Sequence, residues 1–224
     1  MRTGKRTVVF DLDGTLADTS GDLIAAANNC FRQMGLGDQL DPVADAATAF
    51  FGARAMLRLG LERLGRADER QVDAYFQPFV EAYGAAIDVH TFLYPGAMQA
   101  VRGLSGAGYN VAVCTNKPEH LARLLLTRLG VLDAFDSLTG ADTLPMRKPD
   151  PEHLFETVRR AGGDPAHCLL VGDTVTDRET SRAAGVPSVL VTFGPNAGAV
   201  VDLAPEATID HFDELAEVVQ RLIG

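Results

Sequence analysis

No apolar run in the 224 residues approaches the length needed to cross a bilayer. The basic start, Met1 to Arg6, leads into an apolar stretch that breaks at Asp11 and Asp13, too short for a signal peptide, so a cytoplasmic location is expected. Cysteine is scarce. Cys30, Cys114 and Cys168 are odd in number and each lies in or beside an apolar segment, which predicts reduced, buried thiols. There is no Cys-x-x-Cys, and the five histidines, His90, His120, His153, His167 and His211, show no metal-ligand spacing, which argues against zinc. Basic residues are outnumbered, 20 Lys and Arg against 30 Asp and Glu, and the net charge is −10. That removes the basic patch which nucleic acid or an anionic membrane requires, and it repels anionic small molecules at long range. A phosphate substrate therefore needs local positive charge from a metal ion, a lysine or helix N-terminal amides. No repeat or low-complexity tract is present, and the sequence carries no signal of oligomeric state.

What is present is the composition of a globular protein, 46% hydrophobic and 22% charged, long enough for one domain with an insertion or for two small domains. Three apolar runs each end in polar or acidic residues: Val8 to Phe10 before Asp11, Val111 to Val113 ahead of Thr115 and Asn116, and Leu169 to Val171 ahead of Asp173. Helical stretches separate them, which reads as a doubly wound α/β fold with a parallel sheet. Further strands are predicted at Phe135 to Leu138, Val189 to Thr192 and near Ala207 to Ile209, and Gly106-Ala107-Gly108 precedes a strand and so ends a helix. Between Asp18 and Ala86 the apolar spacing is helical throughout: Leu23, Ala27, Phe31 and Met34, then Leu57, Leu61 and Leu64, then Val72, Phe76, Phe79 and Tyr83. Asp41-Pro42 is a helix-start signal there, and Pro78 is expected to kink or split the last helix. The predicted organisation is an α/β core of residues 1–17 and 87–224 and an all-helical insertion of residues 18–86. An insertion after a strand's carboxyl end is expected to sit above the site as a lid.

Open parallel sheets bind ligands beyond the carboxyl ends of their strands, so Asp11, Asp13, Thr115, Asn116, Asp173 and Asp177 are expected to meet in one crevice. Such a cluster suits a hard cation and an oxyanion. Asp11 and Asp13 form a costly buried pair unless they bind a cation or share protons. Asp177, four residues past Asp173, falls in the first turn of a helix that ends before Gly185, where it can lean back towards Asp173 or simply cap the helix. Thr115 and Asn116 read alone as turn residues, and Lys148 alone as a solvated charge, held extended by Pro149 ahead of a helix that starts at Asp150-Pro151.

Taken in order, Asp11-Leu12-Asp13-Gly14-Thr15-Leu16, Thr115-Asn116, Lys148-Pro149-Asp150-Pro151 and Gly172-Asp173-x-x-x-Asp177 resemble the four motifs of haloacid dehalogenase superfamily phosphatases with a small helical cap. Stretches similar to Tyr94-Pro95-Gly96 and Cys114-Thr115-Asn116-Lys117-Pro118-Glu119-His120 are shared with the phosphoglycolate phosphatase-like members, while Thr176 stands where many relatives have Asn.

The resemblance implies Asp11 as nucleophile, Asp13 as acid and base, Thr115 and Asn116 as phosphoryl donors and Lys148 as charge neutraliser. It implies Mg²⁺ held by Asp11, the Asp13 carbonyl, Asp173 and Asp177, and a small-molecule phosphate ester as substrate. A dehalogenase lacks Asp13, and a phosphonatase needs a cap lysine that Leu16 to Ala86 does not contain. A sugar-phosphate mutase, a receiver-like phosphoacceptor and an inactive binding protein are the competing readings. Phe50, Phe51, Arg54 and Arg58 are candidates for a substrate's second anionic group, or else an ordinary helix face.

Overall fold

The computed structural model describes residues 5–66, 68–195 and 197–224. Residues 1–4, which include Arg2 of the basic start, lie outside the described set. In chain order the strands are β1 (Lys5–Phe10), β2 (Ala17–Asp18), β3 (Phe92–Leu93), β4 (Asn110–Cys114), β5 (Ser137–Thr139), β6 (Gly163–Gly172), β7 (Ser188–Val191) and β8 (Ala207–Ile209). The helices are α1 (Ser20–Gln33), α2 (Ala46–Ala49), α3 (Ala53–Arg63), α4 (Glu69–Ala85), α5 (Ala97–Gly106), α6 (Glu119–Arg128), α7 (Pro151–Arg160), α8 (Val175–Ala184), α9 (Ala197–Val200) and α10 (Leu215–Ile223). Two compact units result, one from the chain up to Ala17 together with Leu93–Gly224, the other from Asp18–Phe92.

In the α/β unit six strands form one parallel sheet in the order β5-β4-β1-β6-β7-β8. Counted along the chain within that sheet the order is 3-2-1-4-5-6, the doubly wound arrangement whose direction of winding reverses beside the first strand. Strands β4 and β7 and the carboxyl-terminal halves of β1 and β6 are buried on both faces and largely apolar, whereas the start of β6 and the edge strand β8 are partly exposed. Val9, Ala112, Cys114, Cys168 and Leu170 cover one face under Leu154 and Val158 of α7. All three thiols are free and buried. Register does the functional work: Phe10 lies opposite Val113 on one side and Val171 on the other, so β1, β4 and β6 finish level. The strand expected at Phe135 to Leu138 starts two residues later, because Phe135 closes a short 3-10 turn, Leu132–Ala134.

The helical unit departs from expectation at Asp41-Pro42, and of the two outcomes expected at Pro78, a kink or a split, it excludes the split. Asp41-Pro42 opens a turn and no helix, since the Asp41 carboxylate accepts from the Val43 and Ala44 amides and the next helix begins only at Ala46. Pro78 does not split its helix: α4 runs 17 residues through it. Proline removes one hydrogen bond, and burial of Val72, Phe79 and Tyr83 along the same face outweighs that loss. Gly60 of α3 lets the Phe31 ring of α1 lie against its backbone, where a Cβ would come within 2.2 Å of the ring. Among the described residues no helix is long and apolar enough to cross a membrane.

Candidate active site

Asp11 is the first residue beyond β1, and its amide donates to the Val171 carbonyl at 2.9 Å, so the main chain keeps strand geometry up to the carboxylate. Its Oδ1 accepts from the Leu12 amide at 2.7 Å and lies 3.0 Å from the Lys148 ammonium. Lys148 is buried and also donates to Asp177 Oδ1 at 2.7 Å. Asp177 serves two ends at once. Its Oδ2 accepts from the amide and hydroxyl of Thr174 at 3.1 and 2.7 Å, capping α8, while Oδ1 takes the lysine. Capping and site geometry were alternatives in sequence; here one carboxylate does both.

Asp173 is the first residue beyond β6 and accepts from the Thr15 hydroxyl at 3.0 Å. Two glycines make this approach possible. Gly14, at φ +83°, is where a Cβ would stand 2.3 Å from Asp173 Oδ2, and a Cβ on Gly172 would stand 2.4 Å from Asp177. One carboxylate oxygen each from Asp11, Asp173 and Asp177 lie within 4.8 Å of one another, all three residues buried. An all-oxygen, anionic and buried donor set fits a hard divalent cation.

The electrostatics are those of a crowded anionic site. Burial drives Asp11 up to about 6, with Lys148 pulling it back and Asp177 and Asp13 adding to the rise. Burial alone would depress Lys148, but the facing Asp11 and Asp177 overcome it and hold the ammonium above its ordinary range. Beneath Lys148, the buried His153 ring accepts from the Lys148 amide through Nδ1 at 3.2 Å, and burial followed by the neighbouring ammonium lowers it to about 4.

Thr115 is buried at the end of β4, where its hydroxyl oxygen accepts from the Lys117 amide at 3.1 Å and so keeps its own proton for donation. Asn116 turns its side-chain amide to the Lys148 carbonyl at 3.0 Å, tying the β4 end to the lysine loop. Asp13 meets Lys117, a residue of the shared Cys114-to-His120 stretch that had no role assigned from sequence: its ammonium lies 2.6 Å from Asp13 Oδ1, with only 3% of the lysine side chain exposed. Folding gives roles to Lys117 and His153, which had none in the sequence, and gives Thr15 of the first motif its partner in Asp173. Arg54 and Arg58 lie in the helical unit, where Arg54 pairs with Asp73 and covers the Phe76 ring, and Arg58 holds Glu69 through two hydrogen bonds of 2.6 and 2.8 Å.

Comparison with known proteins follows the same lines. Residues 5–185 match the family model for haloacid dehalogenase-like hydrolases. The chain belongs to that family. As a haloacid dehalogenase-like hydrolase it is 40% identical to a phosphoglycolate phosphatase of Mesorhizobium japonicum, over 96% of each chain. It is 39% identical to a phosphoglycolate phosphatase of Agrobacterium fabrum, over 96% of this chain and 93% of the other. The crystal structure of a predicted phosphoglycolate phosphatase from Haemophilus somnus superposes with a TM-score of 0.85 at 24% identity, covering 98% of this hydrolase and all of the neighbour, which bears on the fold alone.

Proposed function

We propose that this hydrolase is a Mg²⁺-dependent phosphatase of small phosphate monoesters, with phosphoglycolate as the leading substrate, acting through a phosphoryl group carried on Asp11. The observation that carries the reading is the convergence of Asp11, Asp173, Asp177 and the Lys148 ammonium at the level ends of β1 and β6. Full-length similarity to proteins named phosphoglycolate phosphatase supports the substrate.

Asp11, the Asp13 carbonyl, Asp173 and Asp177 would hold the metal, with Asp177 as direct ligand or through water. Bound there, Mg²⁺ supplies charge neutralisation and alignment for the transferring phosphoryl group. With Oδ1 held by Leu12 and Lys148, Asp11 Oδ2 attacks phosphorus as the bond to the alcohol oxygen breaks. Asp13 gives its proton to that oxygen, and the alcohol leaves. Asp13, now a carboxylate, takes a proton from water as the water oxygen attacks phosphorus. The bond to Asp11 breaks, inorganic phosphate departs and the Asp11 carboxylate is restored. The Thr115 hydroxyl and the Asn116 main-chain amide donate to the phosphoryl oxygens, while Lys148 offsets their charge.

The test is release of free phosphate from phosphoglycolate and p-nitrophenyl phosphate, with Mg²⁺ and with chelator. Asp11→Asn should lower turnover about 10⁴-fold or more, as loss of a covalent nucleophile does. Half of wild-type turnover in that variant, or no free phosphate released from either ester with Mg²⁺ present, would refute the proposal.

A further inference from the structure

We infer that Lys117 is the residue that recognises a carboxylate on the alcohol portion of the substrate, and so sets a preference for phosphate esters of hydroxy acids over neutral ones. The inference rests on the phosphatase reading above, in which Asp13 stands at the leaving oxygen. Lys117 is the ammonium that accompanies Asp13, at 2.6 Å. In phosphoglycolate the carboxyl carbon is separated from the leaving oxygen by a single methylene, so a cation next to Asp13 is next to that carboxylate too. Lys148 faces Asp11 and Asp177 on the phosphoryl side, which leaves the alcohol side to Lys117.

A chain of net charge −10 repels an anionic alcohol portion, and the Lys117 ammonium beside Asp13 offsets that repulsion locally. An ammonium carries three donors on a compact charge, so it can hold Asp13 and also take a second carboxylate. Burial of the Lys117 side chain strengthens both interactions relative to a solvated surface lysine. The backbone fixes its position: the Lys117 amide donates to the Thr115 hydroxyl, and its carbonyl accepts from the Ala141 amide at 2.9 Å. Gly140 makes that approach possible, since a Cβ there would stand 2.7 Å from the Lys117 carbonyl oxygen.

The experiment compares kcat/KM for phosphoglycolate and for phosphoglycolamide, its neutral amide, in wild type, Lys117→Met and Lys117→Arg. The wild type should favour the carboxylate. Lys117→Met should lose about 10- to 100-fold more on phosphoglycolate than on the amide, the value of one hydrogen bond to a charged group. Lys117→Arg should recover part of the preference. Because both substrates are measured on one preparation, partial unfolding cancels from the ratio. An equal loss on the two substrates would make Lys117 a support for Asp13 alone and overturn the inference. Absence of phosphate release from both substrates in the wild type would instead sink the phosphatase reading on which it stands.

Discussion

Replacing Lys148 by methionine isolates the charge that holds the site together. Methionine keeps most of the buried stem and removes the ammonium from between Asp11 and Asp177, 3.0 and 2.7 Å away. Two buried carboxylates are then left facing one another. Removing one partner of a buried ion pair costs about 3–5 kcal/mol. For a chain of this size that is a fall in Tm of roughly 6–20 °C. The loss should depend on pH. Asp11 already stands at about 6 because of burial, and Lys148 is the group pulling it down, so the variant raises it further. A carboxyl whose folded pKa exceeds its unfolded value of 3.8 binds more protons when folded, and stability falls as pH rises through the folded value. The deficit should therefore be smaller at pH 5 than at pH 8. The chain contains no tryptophan, so the transition is followed by circular dichroism, in chelator. Added Mg²⁺ should recover part of the lost stability, because it returns positive charge to the same carboxylates. A Tm within about 2 °C of wild type at both pH values would refute the electrostatic account.

Two further substitutions test the geometry around this centre. His153→Asn removes a ring whose folded pKa of about 4 lies below its ordinary 6.5. A depressed histidine contributes stability above pH 6.5 that is lost as pH falls towards 4, so urea midpoints of wild type should decline across that window by the equivalent of about 3 kcal/mol at most, and those of the variant by visibly less. Gly172→Ala places a Cβ 2.4 Å from Asp177 and must push that side chain off Lys148, lowering stability by about 1–3 kcal/mol and weakening Mg²⁺ binding in titration calorimetry. Gly103→Ala, in α5 with nothing within 4 Å of the added atom, is the control and should be neutral or stabilising.

The parts of the fold that sequence alone made visible are those written in local pattern. Strands β4 and β7 and the later halves of β1 and β6 are buried and spell themselves as apolar runs, and Gly185, at φ +67°, ends α8 where a left-handed residue is required. Asp11 and Asp173 were legible because each stands at the end of such a run. Asp41-Pro42 misled because an Asx residue that opens a helix and one that opens a turn use the same side-chain hydrogen bonds. Lys117, though it stands in a shared stretch, and His153 carried no sign of their roles. Lys117 meets a partner 104 positions away, and His153 is marked only by what surrounds it after folding. A lone lysine or histidine carries no period or spacing of its own. Only the level register of β1 and β4 and the seating of α7 under the sheet turn them into site groups.

That register also explains why the site contains two lysines. Asp11, Asp13, Asp173 and Asp177 bring four carboxylates to one end of the sheet, and Lys117 and Lys148 return two positive charges, leaving a formal remainder of two negatives. One divalent cation cancels that remainder. Neither lysine can substitute for the other, since Lys148 is committed to Asp11 and Asp177 and Lys117 to Asp13. With the ion present and all four aspartates ionised the crevice is neutral, and the proton that Asp13 must hold to serve as acid adds one positive charge, so a phosphate dianion meets donors and cations with no net repulsion from the site itself. The long-range field of a chain at −10 still opposes approach, so salt that screens it should speed capture of anionic esters while leaving the buried pairs intact.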